Sequence, residues 1–289
     1  MYPYIGARSM KNRTKKLTAL AFAGAFLCAF FGFFRQNGQK VPTAFAENPY
    51  GWERMSSYTT YFSEEDRGRC ENIAIAAGLI DGATVQAYGE FSFNKWVGRR
   101  TAEAGYRQAK IIVNGEYVLG VGGGVCQVST TLYNAALKSG LEVIEYHPHS
   151  LRVSYVSPSR DAMVSSSSDL QLFNGHAFPV YISAKVQDGA LRVAFFGKND
   201  GSRYEIVSKV LGEIPPPAPI VKEGDKDEVL RSPKNGVKSE MYLERYQGGA
   251  LLSRKRLRID EYRPIQGIVV KKVENATNKM PSNACLFCK

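Results

Sequence analysis

Residues 120–133 read Gly-Val-Gly-Gly-Gly-Val-Cys-Gln-Val-Ser-Thr-Thr-Leu-Tyr, a run of small residues that brings one thiol, Cys126, to the start of a helical pattern. Glycine adopts positive φ readily and carries no side chain, so such a run allows a substrate to approach the sulfur closely. From Cys126 onward Val128, Leu132, Ala135, Ala136 and Leu137 recur at helical spacing, and Gly140 stands where a helix would stop. A thiol in the first turn of a helix faces unpaired amides and the positive end of the dipole, both of which favour thiolate. His147 and His149 follow on either side of Pro148 and supply a base if the fold returns them to the sulfur. The chemistry these parts point to is nucleophilic acyl transfer, with backbone amides of residues 125–127 stabilising the oxyanion. Gly123, Gly124, Gln127, Ser129 and Thr130 are then the neighbours expected to meet substrate, since a core helix has little use for hydroxyls beside a thiol. Downstream, Arg160 offers a planar fork for a substrate carboxylate, while Asp161 or Asp169 could contact substrate or orient the base. The competing reading is a buried cysteine that acts as a small hydrophobe, or one bonded to Cys70.

Other chemistries fit the sequence poorly. The glycine run is not followed by Gly-Lys-Ser/Thr, and it lacks the Gly-x-Gly-x-x-Gly spacing with a later acidic residue, so neither a phosphate loop nor a dinucleotide fold is expected. Cys285 and Cys288 form a lone Cys-x-x-Cys in a polar tail, without the four ligands of a zinc site. No metal and no cofactor is expected.

The elements that must position the thiol can be read from spacing. The pattern predicts a strand over 57–62, a helix over 64–79 with Cys70, Ile73, Ala74 and Ala77 on its inner face, and strands over 84–87 and 90–93. A hairpin over 110–113 and 117–121 turns at Asn114-Gly115. After the helix over 126–139 come strands at 142–146, 153–156, 179–186 and 191–196, so the fold class is α+β. Polar, turn-rich residues 198–201 mark a boundary. Beyond it, the proline-rich 215–219 is extended, and β-rich pieces at 239–246 and 251–259 around Gly248-Gly249 indicate a small all-β module. Residues 275–289 read as a disordered tail.

The net charge of +11 is not a nucleic-acid footprint, because residues 1–46 contain seven basic residues and no acidic one, leaving +4 for the rest. Those charges flank an uncharged apolar run from Leu17 to Phe34, which reads as an export signal or membrane anchor. Ala44-Phe45-Ala46 has the small-x-small form of a cleavage site, and retention as an anchor stays open beside it. Either way the remainder is expected on the outer face of the cytoplasmic membrane or in the cell wall.

Several strings together resemble the VanW family: residues 89–94 (Gly-Glu-Phe-Ser-Phe-Asn), residues 122–137, His149-Ser150 and Val153-Ser154-Tyr155-Val156. The organisation this implies is a signal or anchor at 1–46, a connector at 47–56, a VanW-like domain at 57–198, a module similar to G5 units at 199–274 and the tail at 275–289. Some members of that family are L,D-transpeptidases that cross-link peptidoglycan through a cysteine. The resemblance therefore implies an exported protein acting on peptidoglycan stem peptides, with Cys126 as nucleophile, His149 as the preferred base and His147 as the weaker candidate. A non-enzymatic envelope protein that binds wall polymer, with a structural Cys126, is the alternative. This chain departs from the family pattern where Ser157-Pro158-Ser159 stands for Pro-x-Gly and Met163 for a threonine.

Overall fold

A computed structural model describes residues 50–113 and 115–273. The apolar run 17–34, Asn114 of the hairpin turn, the cysteine pair 285/288 and the tail lie outside the described residues. Among the described residues no helix is long and apolar enough to cross a membrane.

Among the described residues strands outweigh helices by 46% to 15%, so the fold is a mixed α+β one that is mostly β. The elements in chain order are β1 (Glu53–Tyr61), α1 (Arg67–Ile80), β2 (Thr84–Val85), β3 (Glu90–Ser92), α2 (Phe93–Val97), β4 (Gln108–Val113), β5 (Glu116–Val121), α3 (Val125–Lys138), β6 (Glu142–Glu145), β7 (Gln171–Phe173), β8 (Val180–Gln187) and β9 (Ala190–Gly197). Six further strands follow: β10 (Ser202–Ile214), β11 (Ile220–Gly224), β12 (Glu228–Arg231), β13 (Gly236–Gln247), β14 (Ala250–Tyr262) and β15 (Ile268–Lys272). The first main sheet has the order β1-β9-β8-β2, and a second, of long antiparallel strands, has the order β10-β13-β14. Three small sheets complete the fold: β3-β7-β6, β4-β5 and β11-β15-β12, the β11–β15 pair being parallel.

Helix α3 is the centre of the molecule. Every residue from Val125 to Leu137 except Cys126 is buried, and the helix packs against β1, β9, α1, β6 and β10. A helix covered on all sides needs apolar residues all round or polar residues with partners. α3 uses both. Val128, Leu132 and Ala136 enter the apolar core, whereas its hydroxyls bond to flanking backbone. Ser129 Oγ donates to Ala162 O at 2.6 Å, the Ala162 amide donates to Thr130 Oγ1 at 3.0 Å, and Thr131 Oγ1 donates to Gln127 O at 2.6 Å. On β1 the inward Ser56 donates to Ala135 O, and Thr60 pairs with Thr131. The hydroxyls expected to meet substrate thus fasten the helix to its surroundings.

Two further expectations are corrected. Residues 153–156 form no strand. The segment has no strand pairing, although Val153 and Val156 are buried. On α1 the inner face is Asn72, Ile73, Ala76, Ala77 and Ile80; Cys70 is half-buried and Ala74 exposed, so the stripe is turned from the one predicted. Asn72 is buried because its amide donates to Arg107 O and Gly123 O, each at 2.9 Å. This places Arg69, one turn before Ile73, toward the start of α3.

Candidate active site

The glycines before Cys126 have packing duties. A Cβ on Gly123 would lie 2.7 Å from Lys110 O and 2.8 Å from Ala109 Cβ, so only glycine lets the turn press against β4. Gly122 and Gly124 have φ of +87° and +108°, a region L side chains rarely adopt. The turn ends at Gly124, and α3 then carries Cys126 as its second residue.

The sulfur is half-buried at the foot of a cavity of about 1300 Å³, lined also by Arg69, Arg100, Gly124, His149 and Tyr155. As a thiol it donates to Val164 O at 3.4 Å. Ser129 and Thr130 hold Ala162, two residues from Val164, so the hydroxyl cluster aligns the strand of chain that borders the thiol. Both Cys70 and Cys126 are free thiols, so the two are not joined in a disulfide.

His149 faces the sulfur. Its Nδ1 is 2.7 Å from Asp161 Oδ2, which also accepts from the His149 amide at 2.7 Å. Fixing Nδ1–H on a carboxylate leaves Nε2 for the sulfur. His149 is 6% exposed and Asp161 1%. Burial alone would push the imidazole pKa down, but hydrogen bonds to Asp161 and Cys126 and the charges of both raise it to about 9. Burial likewise pushes the thiol up, yet the hydrogen bond and positive charge of His149, with help from Arg100, bring Cys126 below its ordinary value. Asp161 is also drawn below the usual carboxylate range: burial opposes ionisation, and the His149 hydrogen bond and charge, with Arg258, outweigh it. Both shifts run in the direction that favours a thiolate beside an imidazolium.

Asp161 is held from the C-terminal strands. The Tyr262 hydroxyl on β14 donates to Asp161 Oδ1 at 2.5 Å, and Arg258 Nη1 donates to Asp161 O at 2.7 Å. Arg258 is itself paired with Asp260 at 2.6 Å, and its guanidinium lies 4.4 Å from the centre of the Tyr146 ring. Ser159 has φ of +63°, in the left-handed region that favours glycine. Its amide donates to Tyr262 Oη and its hydroxyl pairs with Ser239, both at 2.7 Å, so the second sheet holds the strained turn that a glycine would otherwise permit.

The remaining sequence candidates divide clearly. Gly123, Gly124 and Gln127 border the cavity, but Gln127 is spent on protein: Oε1 accepts from Arg69 at 2.6 Å, and Nε2 donates to Thr60 Oγ1 and Tyr61 O, both at 3.0 Å. His147 pairs with Glu145 at 2.9 Å and is 39% exposed, away from the cavity lining. Arg160 donates to Ile206 O on β10 and does not border the cavity, so it is no carboxylate fork. Asp169 accepts from Ser92 Oγ and from the amides of Asn94 and Leu170, capping α2 instead of orienting His149. Of the three amides expected to form an oxyanion hole, those of Val125 and Gln127 already donate to Gly122 O and Gly124 O, which leaves that of Cys126. Among the described residues no group of three or more His, Cys, Asp or Glu is placed to hold a metal ion. Arg69, Arg100, Arg258 and Tyr262 were not singled out from sequence. Arg69 was hidden by the misphased helix, and the last two lie about 100 positions from the carboxylate they hold.

Residues 68–196 match the family model described as VanW like protein. Over this stretch the chain is similar to the VanW family. Cys126, His149 and Asp161 all lie within the VanW-like stretch, whereas Arg258 and Tyr262 lie beyond it. A relative from Bacillus subtilis (strain 168), the uncharacterized protein YoaR, is 39% identical over 165 residues, which is 56% of this chain and 54% of the relative. The VanW-like chain thus spans about half the length of that relative. Among solved structures, the crystal structure of HP0197-G5 is 17% identical and covers 24% of this chain and 93% of its own, with a TM-score of 0.15, too low to bear on the fold.

Proposed function

We propose that this chain is an exported cell-wall protein in which Cys126 transfers an acyl group of peptidoglycan stem peptides, as an L,D-transpeptidase or carboxypeptidase does. The observation that carries this reading is the line from Cys126 through His149 to Asp161 at the foot of a large open cavity. Similarity to the VanW family supports a cell-wall setting, and the basic, apolar N-terminal run supports export, with the membrane as a partner if the run is retained. Nucleic acid has no part in it.

In the reaction, the thiolate of Cys126 adds to the amide carbonyl before the terminal D-amino acid. The oxyanion takes the Cys126 amide and the positive end of α3 as its partners. The C–N bond then breaks, its electron pair stays on nitrogen, and the His149 imidazolium gives that nitrogen a proton, leaving a thioester on sulfur. A second stem's amine, or water, attacks the thioester while neutral His149 takes its proton, and the thiolate is released. Asp161 keeps the ring in one tautomer and stabilises its charged form, the role of the third member of a catalytic triad.

The test is incubation of the full-length protein with muropeptides, followed by mass spectrometry. Loss of terminal D-Ala or new dimers, with an acyl adduct on Cys126, is expected for the wild type and not for Cys126→Ala. A folded, reduced wild-type protein that retains wall polymer but forms no adduct and no product would instead identify a binding protein with a structural cysteine.

A further inference from the structure

Two arginines flank the turn that carries the thiol, and the glycines make room for them. A Cβ on Gly122 would lie 3.1 Å from Arg100 Cβ, and one on Gly124 would lie 3.1 Å from Arg69 Cγ, so each arginine stem rests on a position of the run that must be glycine. Both border the cavity that holds Cys126. Each guanidinium is oriented by a neutral amide oxygen. Arg69 Nη2 donates to Gln127 Oε1 at 2.6 Å, and Arg100 Nη2 donates to Asn94 Oδ1 at 2.5 Å. Gln127 is fixed by β1, and Asn94 is fixed by the carbonyls of Ser165 and Ser168. Aromatic faces support both cations, Tyr155 at 5.9 Å from Arg69 and Phe93 at 5.8 Å from Arg100. Neither forms an ion pair with a carboxylate among the described residues. By contrast Arg258, which is buried, has Asp260 at 2.6 Å.

Arg100 feels the charges of Cys126 and Asp169 at a distance, but a partly buried cation with no carboxylate in ion-pair reach is costly to keep unless an anion arrives from outside. Two such cations bordering the cavity that one nucleophile also lines suit a planar anion that must be held there. We propose that Arg69 and Arg100 form a carboxylate clamp, which recognises the free C-terminal carboxylate of the residue expelled by Cys126. The clamp deepens the acyl-transfer reading and rests on it for the identity of the leaving residue. It selects peptides whose scissile amide is followed by one residue with a free carboxylate, and it rejects the same peptides when that terminus is amidated. Gln127 and Asn94 are positioning residues for the clamp.

The clamp is tested on the full-length protein by alkylation, which needs no turnover. Iodoacetate carries a carboxylate beside its reactive carbon and iodoacetamide does not, so the ratio of their rates at Cys126, followed by peptide mass spectrometry, reports the clamp independently of thiolate content. The ratio is expected to exceed that of free cysteine by on the order of tenfold or more. It should fall severalfold in Arg69→Gln and in Arg100→Gln, and further in the double variant, which retains the His149 charge. A wild-type ratio equal to that of free cysteine, or one that neither substitution changes, overturns the clamp. Should the variants fail to fold, protection of wild-type Cys126 from iodoacetamide decides the matter. A stem peptide ending in D-Ala should protect and its C-terminal amide should not, and equal protection refutes the proposal. Turnover that ignores amidation removes the clamp and leaves acyl transfer standing, whereas a high ratio without turnover keeps the clamp and removes the enzyme.

Discussion

The hydroxyl of Tyr262 on β14 donates to Oδ1 of Asp161, whose other carboxylate oxygen holds the His149 ring. A residue outside the VanW-like stretch therefore orients the carboxylate that orients the base. The link lies on the path from packing to function, because β10 of the second sheet packs against α3 and β14 lays Arg258 over the ring of Tyr133 on that helix. Tyr262→Phe should lower kcat by about tenfold with little change in KM. It also removes the acceptor of the buried Ser159 amide, which should cost about 1–3 kcal/mol of stability. Steady-state kinetics and thermal melting of the same variant check both, and an unchanged kcat would reduce the contact to structural support.

The charge state of the site predicts its pH dependence. Activity requires Cys126 ionised and His149 protonated in the same molecule, so kcat/KM should be bell-shaped. The acid limb lies below the ordinary thiol range because His149 draws the sulfur down despite its burial, and the alkaline limb lies near 9, where the imidazolium loses its proton. The two limbs belong to the coupled pair and not to either residue alone. Cys70 is an internal control. Burial and the nearby Asp66 and Glu64 raise its pKa, so at neutral pH iodoacetamide should modify Cys126 well before Cys70. The rate constants of both sites over a pH series, read by mass spectrometry, test this.

The two histidines separate in the same assay. His149→Ala should shift the onset of Cys126 alkylation toward the ordinary thiol range and reduce kcat by at least a hundredfold, since both the proton carrier and the counter-charge are lost. His147→Ala removes only a half-exposed contact with Glu145, worth about 0–1 kcal/mol, and should leave the onset and the rate unchanged.

Local pattern in the sequence carried the thiol, the helix behind it and most strands, because apolar spacing and turn residues act over a few positions. The 153–156 segment misled because it is rich in β-forming residues, but its buried positions, Val153 and Val156, are three apart and the segment has no strand partner. Ser129 and Thr130 misled for a different reason. A hydroxyl next to a reactive cysteine reads as a substrate contact, yet a helix covered on every side needs the same hydroxyls to bond Ala162. The support for Asp161 could not be read locally at all, since Arg258 and Tyr262 come to it across 97 and 101 positions. Nothing in the composition of β14 distinguishes those two from the exposed basic residues beside them.

Arg258 gives the sharpest test of how much the second sheet contributes. Its side chain is 1% exposed and lies between Asp260 at 2.6 Å and Asp161 Oδ1 at 3.7 Å, and its buried Nη2 has no hydrogen bond. Burial disfavours the guanidinium charge, but the surrounding Tyr133, Asp260 and Asp161 keep it firmly protonated. Arg258→Ala leaves two buried carboxylates without that charge, a change that costs about 3–5 kcal/mol in other buried pairs. Asp161 would then bind a proton more readily, lose its hold on the imidazolium, and let the thiol pKa rise. The expected result is a lower melting temperature together with a Cys126 alkylation onset moved to higher pH. Arg258→Ala combined with Asp260→Ala should recover part of the stability, because one uncompensated carboxylate is gone, but not the alkylation onset, because Asp161 still lacks its cation. A double variant that regained the wild-type onset would show that Arg258 only neutralises Asp260 and has no bearing on the nucleophile.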